Sequence, residues 1–198
     1  MTAASTDSPT GTPGAIWDDV VGQPAAITQL RAAAERGAVH AYLFVGPSGS
    51  TKIQAARAFA ARLMTGDESA ATRDATLILR GEHPDVHEVR RVGARIDAEQ
   101  AKAIVRQASI TPAESESKAM ILDEFHLLAP EGAGRLLKTI EEPPDSTTFL
   151  ILADFVPSEL VTIASRCVRV DFHAIGPDVV AARLVSEGVS PPDAMQAA

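Results

Sequence analysis

The stretch that decides the fold is HAYLFV at residues 40–45, followed directly by GPSGSTKI at residues 46–53. The first six residues are an apolar run that ends at a glycine, which is typical of a buried parallel strand that runs into a loop. Residues 52–64 are rich in alanine and predict a helix. A strand, a glycine-rich loop and a helix in this order are the beginning of an α/β unit.

The loop at residues 46–53 follows the Walker A pattern, G-x-x-x-x-G-K-[ST], only in part. In that pattern backbone N–H groups hold phosphates at the start of a helix, and the lysine reaches the β and γ phosphates. Two glycines and the lysine of the loop fit this role. The candidate nucleotide-binding residues are therefore Gly46, Pro47, Ser48, Gly49, Ser50, Thr51 and Lys52. The plainer interpretation is a glycine-rich turn with an incidental lysine.

Two positions of this loop depart from the pattern. Thr51 stands where the pattern has the glycine before the lysine, and Ile53 stands where a Ser or Thr would bind Mg²⁺. If the loop needs a left-handed backbone at Thr51, a β-branched residue costs about 1–2 kcal/mol there. Since Ile53 has no oxygen to offer, we expect ATP or ADP to bind weakly or not at all, and Mg²⁺ only together with a nucleotide.

A second apolar run, AMIL at residues 119–122, ends in Asp123 and Glu124. An apolar strand that ends in Asp-Glu is typical of the Walker B motif, in which the Asp holds Mg²⁺ and the Glu polarises the attacking water. Asp123 is therefore a candidate cofactor-binding residue, and Glu124 is a candidate catalytic residue. An acidic strand end without a catalytic role is the plainer alternative.

Strands and helices continue to alternate along the rest of the chain. Strands are predicted at residues 86–92, 147–152 and 168–172, and helices at residues 23–36, 97–107, 132–141, 157–164 and 178–187, with a short one after Pro192; residues 65–74 are polar and irregular. This alternation predicts an α/β fold with a mostly parallel sheet and helices on both faces. Residues 1–14 predict a disordered tail, residues 15–174 a nucleotide-binding core, and residues 175–198 the start of a small helical lid domain.

The composition limits the classes of function. The net charge of the 198 residues is −8, which argues against a strongly basic nucleic-acid binder that acts alone, but not against a role at DNA inside a complex. The single cysteine, Cys167, excludes an intrachain disulfide and a cysteine-rich zinc site. Because there is neither a signal-peptide pattern nor an apolar run of transmembrane length, we expect a soluble cytoplasmic protein without a membrane partner.

Ser165-Arg166-Cys167 follows the third buried strand and a short predicted helix. An arginine at the edge of such a domain can act as an arginine finger, which stabilises charge on the γ-phosphate bound by a neighbouring subunit. The plainer interpretation is a surface arginine in an ion pair, and the spacing alone favours it.

Taken together, these motifs resemble one family. The order HAYLF, GPSGSTK, HPDVHEV, MILDEFHLL, RLLKTIEEPP, TTFLILA and SRC is similar to bacterial DNA polymerase III clamp-loader subunits of the AAA+ superfamily, and WDDVVGQ at residues 17–23 resembles the family's segment that lies against adenine. The resemblance covers residues 16–172. The HPDVH stretch and the incomplete Walker A loop resemble delta-prime subunits more than gamma/tau subunits, which keep Gly-Lys-Thr or Gly-Lys-Ser and hydrolyse ATP.

The resemblance implies an AAA+ P-loop NTPase fold in a subunit that does not hydrolyse ATP itself. Such a subunit works in a hetero-pentamer with gamma/tau and delta subunits, and the complex loads the sliding clamp onto primer-template DNA. The resemblance also implies that Arg166 is an arginine finger for a neighbouring subunit and that Glu124 is inactive.

Two alternatives belong to other classes. The first is an active, gamma/tau-like ATPase in which the Walker A lysine and the Walker B acids survive and Ser50 or Thr51 supplies an oxygen. Both hydroxyls precede Lys52, however, and therefore lie on the wrong side of the loop for the usual Mg²⁺ position. The second is a small P-loop kinase, which is disfavoured because no substrate lid is visible and the SRC motif would have no role.

The sequence also departs from the family pattern. The family's four zinc-binding cysteines are missing from residues 64–82, so no zinc is expected. Ala153 and Asp154 stand where the family has the Thr or Asn that senses the γ-phosphate. The sensor-2 arginine and the collar domain would lie beyond residue 198. Glu141 and Glu142 of the EEPP motif are expected on a solvated face, and a role at an interface is left open.

Overall fold

The computed structural model describes residues 14–198, so residues 1–13 of the predicted disordered tail lie outside the described residues. The centre of the fold is a five-stranded sheet with the strand order β2-β3-β4-β1-β5. Every neighbouring pair of strands is parallel. The strands are β1 (Ala41–Val45), β2 (Val86–Val89), β3 (Lys118–Leu122), β4 (Thr147–Ala153) and β5 (Val168–Asp171). The predicted parallel α/β sheet is therefore confirmed.

Helices connect the strands and continue after the last one. They are α1 (Pro24–Arg36), α2 (Lys52–Thr65), α3 (Arg73–Arg80), α4 (Ala98–Ala108), α5 (Pro130–Glu141), α6 (Val161–Ala164), α7 (Pro177–Ser186) and α8 (Pro191–Ala197). Short 3₁₀ turns lie at Phe125–Leu127 and Ser158–Leu160. The connection between parallel neighbours thus crosses a face of the sheet each time, as parallel pairing requires.

Helices cover both faces of the sheet. Along β1, Tyr42 and Phe44 join the core formed with α1, α2 and α3, whereas Leu43 and Val45 join the core formed with α4, α5 and α6. All four side chains are buried. Because helices cover both faces, the central strands are apolar along most of their length and show no alternation of apolar and polar residues.

The loop after β1 is held in place by close packing on either side of it. Five alanines of α2 are fully buried, and Phe59 packs edge-to-face on Tyr42 with 4.8 Å between ring centroids. Gly46 is required where β1 ends, because a Cβ at that position would clash with the carbonyl oxygen of Phe172. These contacts place the loop at residues 46–52 at the carboxyl end of the sheet.

Three elements differ from the prediction. The structure has α3 in a region where the sequence predicts no helix; Thr72 caps it by accepting the N–H of Ala75 at 3.1 Å, and Ile78 packs into the core beside α2. A helix this short depends more on packing than on propensity, which a sequence pattern does not reveal. Strand β2 ends at Val89, three residues earlier than predicted, and residues 157–164 form a 3₁₀ turn followed by a single turn of helix.

The helices after the sheet contact the segment that precedes α1. The guanidinium of Arg183 in α7 donates hydrogen bonds to the carbonyl oxygen of Asp18 at 2.9 Å and to the carboxylate of Asp19 at 2.6 Å. These bonds fix the start of residues 175–198 against the rest of the chain. The assignment of that segment to a lid domain stays a prediction.

Candidate functional site

A cleft of about 310 Å³ opens at the carboxyl ends of β1, β3 and β4. Parallel α/β sheets bind ligands at this edge, because loops from several strands converge there. The cleft is lined by Ser48, Gly49, Ser50, Thr51, Lys52, Ile53, Gln54, Asp123, Glu124 and Asp154. The structure thus brings the Walker A-like loop and the Walker B-like acids together, as the sequence predicts.

Lys52 is the first residue of α2 and is only 8% exposed. Its ammonium group donates hydrogen bonds to the carbonyl oxygens of Gly46 and Pro47, the latter at 2.7 Å. A third hydrogen bond goes to the carboxylate of Asp154 at 3.0 Å. A lysine ammonium has three protons and no acceptor, so each proton of Lys52 already has a partner within the chain.

Thr51 has a left-handed backbone, with φ 59° and ψ 25°, directly before α2. This is the conformation for which the sequence predicts a cost, because a β-branched residue is rarely found there. Its hydroxyl donates to the carbonyl oxygen of Val21 at 3.3 Å, and the hydroxyl of Ser50 donates to that of Pro47 at 2.7 Å. Both hydroxyls are thus engaged with backbone carbonyls, and Ile53 presents only carbon to the cleft.

The two acids after β3 face arginines from the end of β2. The Glu124 carboxylate lies 2.9 Å from Nε of Arg91, and the Asp123 carboxylate lies 3.8 Å from Nε of Arg90. Asp123 also accepts the backbone N–H of Glu124 at 2.9 Å. Positive charge therefore already stands beside the oxygens that would bind Mg²⁺ in a complete site.

Asp154 is the first residue after β4, and its position is held by a neighbour. Its backbone N–H donates to Nδ1 of His126 at 3.2 Å, and the His126 ring packs against Phe155 with 5.2 Å between centroids. Since Ala153 pairs in register with Val45 at the end of β1, the Asp154 carboxylate is carried to the mouth of the loop that Lys52 closes.

Arg166 lies at the amino-terminal end of the strands, opposite the end at which the cleft opens. It precedes β5, which runs parallel to β1, so a strand length separates it from the cleft at the carboxyl ends. The Nε of Arg166 forms an ion pair with Glu141 at the end of α5, and Nη1 donates to the carbonyl oxygen of Thr162 at 2.8 Å. Its side chain is 39% exposed. The structure therefore does not bring Arg166 to the chain's own Walker motifs.

The remaining parts of the chain carry fewer site features. Asp19 and Val21 of the WDDVVGQ segment line a second cleft of about 340 Å³ that shares Thr51 with the first. Among residues 14–198, no group of three or more His, Cys, Asp or Glu side chains is arranged to hold a metal ion. Within the same residues, no helix has the length and apolar character needed to cross a membrane.

Comparison with known proteins identifies the family. Residues 22–176 match the family model described as DNA polymerase III, delta subunit. The chain belongs to this family. The DNA polymerase III delta' subunit of Bacillus subtilis is 33% identical over 156 residues, which cover 77% of this chain and 47% of that protein. The tau subunit of Escherichia coli is 34% identical over 168 residues, or 81% of this chain and 26% of that protein.

Solved structures show the same fold in members of the AAA+ class. The DNA polymerase III gamma subunit-related protein from Thermotoga maritima has a TM-score of 0.59 at 21% identity, covering 82% of this chain and 52% of that chain. The RuvB Holliday junction branch migration motor from the same organism has a TM-score of 0.51 at 18% identity, covering 88% and 55%. This chain of the clamp-loader family thus has the AAA+ P-loop fold. It spans about half the length, or less, of these relatives.

Sequence reasoning missed three residues of the site in this clamp-loader family chain. Arg90 and Arg91 contact the Walker B-like acids, but the strand predicted through residue 92 would have buried them within the sheet. Two adjacent arginines directly after Val89 were the available signal, since arginine side chains are almost never fully buried without a partner. His126 had no signal, because its contact with Asp154 joins segments 28 residues apart.

Proposed function

We propose that this chain is a delta-prime-like clamp-loader subunit that helps load the sliding clamp onto primer-template DNA without hydrolysing ATP itself. The observation that carries the proposal is the placement of Arg166 on the sheet edge away from the chain's own cleft, where a neighbouring subunit can reach it. Membership in the DNA polymerase III delta subunit family and the similarity to a delta' subunit support the same role.

The geometry of the cleft supports the lack of hydrolysis. Mg²⁺ and the attacking water need free oxygens, but the carboxylates of Asp123 and Glu124 stand beside Arg90 and Arg91. The hydroxyl that normally completes the metal site is replaced by the side chain of Ile53. We expect this subunit to stay folded and inert toward ATP while it occupies its place in a hetero-pentamer with gamma/tau and delta subunits.

The position of Arg166 supports a role in trans. A guanidinium that is to reach a phosphate on another subunit must be at the surface and must exchange its partner cheaply. The Arg166 side chain is 39% exposed, and that of Glu141 is 35% exposed. Ion pairs of this exposure contribute about 0–1 kcal/mol, so a γ-phosphate with its higher charge can replace the carboxylate.

A basic cleft between α4 and α5 fits a place beside DNA in the complex. The cleft has a volume of about 490 Å³, and four of its lining residues are Lys102, Arg106, Arg135 and Lys138. The whole chain has a net charge of −8, so this is a local concentration of positive charge. We propose that partner subunits supply most of the positive surface and that this cleft adds to it.

Reconstitution with the gamma/tau and delta subunits of the same organism tests the proposal. Native mass spectrometry should show a complex that contains this chain, and the complex should load the clamp onto primed DNA only when the chain is present. A chain that does not enter the complex, or a complex that loads clamps equally well without it, would contradict the proposal.

An active ATPase is the alternative, because Lys52, Asp123 and Glu124 are all present and line one cleft. The hydroxyls of Ser50 and Thr51 would then have to leave their backbone carbonyls to hold a metal ion. Turnover of ATP by the isolated chain that disappears in Lys52→Ala would favour this alternative over the non-hydrolysing subunit.

A further inference from the structure

We infer that Asp154 takes the place of a phosphate in this P-loop and is the residue that excludes nucleotide from it. The inference rests on the contacts of the loop and not on a role in clamp loading. It goes beyond the two departures of the Walker A motif itself, Thr51 and Ile53, because it assigns the exclusion to a side chain from a different strand.

The first step is the hydrogen bonding of Lys52. Its ammonium group donates to the carbonyl oxygens of Gly46 and Pro47 and to the carboxylate of Asp154. Only the last of these partners carries a negative charge, as a phosphate would. A phosphate can contact this ammonium only by removing one of the three partners.

The second step is the charge in the cleft. Asp154, Asp123 and Glu124 all line the same cleft as the loop. Arg90 and Arg91 lie beside the two Walker B-like acids, and Lys52 lies beside Asp154. A nucleotide phosphate that displaced Asp154 from Lys52 would therefore leave the Asp154 carboxylate without a positive partner. The carboxylate and the phosphate would then lie close together and repel each other.

The third step is that Asp154 is held where it is. It directly follows β4, whose last residue pairs with the last residue of β1, and its N–H is bonded to Nδ1 of His126. The carboxylate is 36% exposed, whereas the lysine is 8% exposed. The nearly buried ammonium thus depends on this carboxylate for its only ionic partner among the contacts described above, and the backbone that carries the carboxylate is fixed beside the loop.

The experiment is a titration of the isolated chain with ADP and with ATP, with and without Mg²⁺, in which isothermal titration calorimetry measures binding. Asp154→Ala is compared with the native chain and with Asp145→Ala, which removes an exposed carboxylate before β4 at the opposite edge of the sheet. We expect the dissociation constant for ADP to fall at least about tenfold in Asp154→Ala. It should stay unchanged in Asp145→Ala, and adding Lys52→Ala to the Asp154 variant should remove the gain.

A second readout does not depend on tight binding. The rate at which an amine reagent modifies Lys52, followed by mass spectrometry of the digested chain, should rise severalfold in Asp154→Ala and fall again when ADP is added. If Asp154→Ala is poorly folded by circular dichroism, Asp154→Asn replaces it in both measurements, because the amide keeps the size and removes the charge.

Equal affinity of the native chain and the Asp154 variants overturns the inference, whether both bind ADP or neither does. In that case the Thr51 backbone and the missing hydroxyl at residue 53 would be sufficient causes. These results are separate from the proposed role in clamp loading, which is tested in the assembled complex through the effects of Arg166 and of the chain itself.

Discussion

Arg166 and Glu141 form an ion pair that joins the SRC motif to the EEPP motif across the amino-terminal edge of the sheet. The sequence leaves the role of the acidic pair open and places Arg166 either in an ion pair or at a neighbour's phosphate. The structure adds that the ion pair exists in the free chain. If the arginine also serves a neighbouring subunit, Glu141 is the group from which it must separate.

Replacing Glu141 with glutamine therefore tests the proposed separation. In the reconstituted complex, Glu141→Gln should raise ATP hydrolysis at sub-saturating ATP by up to about fivefold, because an exposed ion pair of about 1 kcal/mol no longer competes for Arg166. Glu142→Gln, which neutralises the adjacent acid, is the matched control and should leave the rate unchanged. A loss of activity in Glu141→Gln would mean that the pair orients the arginine instead of competing for it.

The left-handed backbone at Thr51 predicts a stabilising substitution. Thr51→Gly should raise the free energy of unfolding by about 1 kcal/mol, which corresponds to about 2–4 °C in melting temperature for a domain of this size. Thr51→Ala also loses the hydroxyl but keeps a Cβ, so its melting temperature should not exceed that of the native chain. Calorimetric melting of the three proteins decides the matter, and a lower melting temperature for the glycine variant would show that the residue is not strained.

The carboxylate of Asp85 predicts a dependence of stability on pH. It accepts the N–H groups of Glu114 and Ser115, each at 2.8 Å, and that of Ala113. Burial opposes its charge, but these three donors outweigh burial and hold the pKa of Asp85 below its ordinary value of 3.8. A lowered native pKa contributes stability that is fully present above 3.8 and is lost as the pH falls through the native value.

Asp85→Asn should accordingly be less stable than the native chain by about 1.5–3 kcal/mol at pH 7, because hydrogen bonds to a charged group are lost. The difference should narrow below pH 4, because Asp85 of the unfolded chain then takes up a proton that the native carboxylate, with its lowered pKa, does not yet bind. Urea unfolding at pH 7, 5 and 3 measures both statements, with Asp145→Asn as the control. A difference that stays constant across this range would show that the charge of Asp85 contributes nothing.

The thiol of Cys167 is expected to react slowly with alkylating reagents, although Cys167 follows Arg166 in the sequence. Burial raises the pKa of its thiol to about 12, and the thiol donates to the carbonyl oxygen of Ile163 at 3.3 Å. At pH 8 the native chain should react with iodoacetamide at least about 100-fold more slowly than the urea-unfolded chain, because only the thiolate reacts. Comparable rates in the two states would mean that the thiol is exposed to solvent in the folded chain.

Much of the fold could be predicted from the sequence, because local rules and tertiary structure agree in its centre. Residues 41–45 of β1, 119–122 of β3 and 149–153 of β4 are apolar because both faces of the sheet are covered, and such runs can be recognised in the sequence alone. Helix α3 was not readable, because it has eight residues and is stabilised by a cap at Thr72 and by packing on α2.

The candidate site, like the fold, has one part that the sequence could predict and one part that it could not. The Walker-like motifs could be located because loop and strand ends carry recognisable residues at fixed spacing. The ionic partner of Lys52 could not be predicted from the sequence, because Asp154 lies 102 residues further along the chain. It reaches the loop only through the pairing of β4 with β1. The pairs of Arg90 with Asp123 and of Arg91 with Glu124 likewise require the register of β2 on β3.

The role of Arg166 in trans is the central claim, and one measurement tests it most directly. ATP hydrolysis is followed in the reconstituted complex with every ATP site inactivated except the one that faces this chain, and the native chain is compared with Arg166→Ala. The claim predicts that the complex still assembles, as seen by native mass spectrometry, while the rate falls by about 10³-fold. An unchanged rate in a fully assembled complex would contradict it.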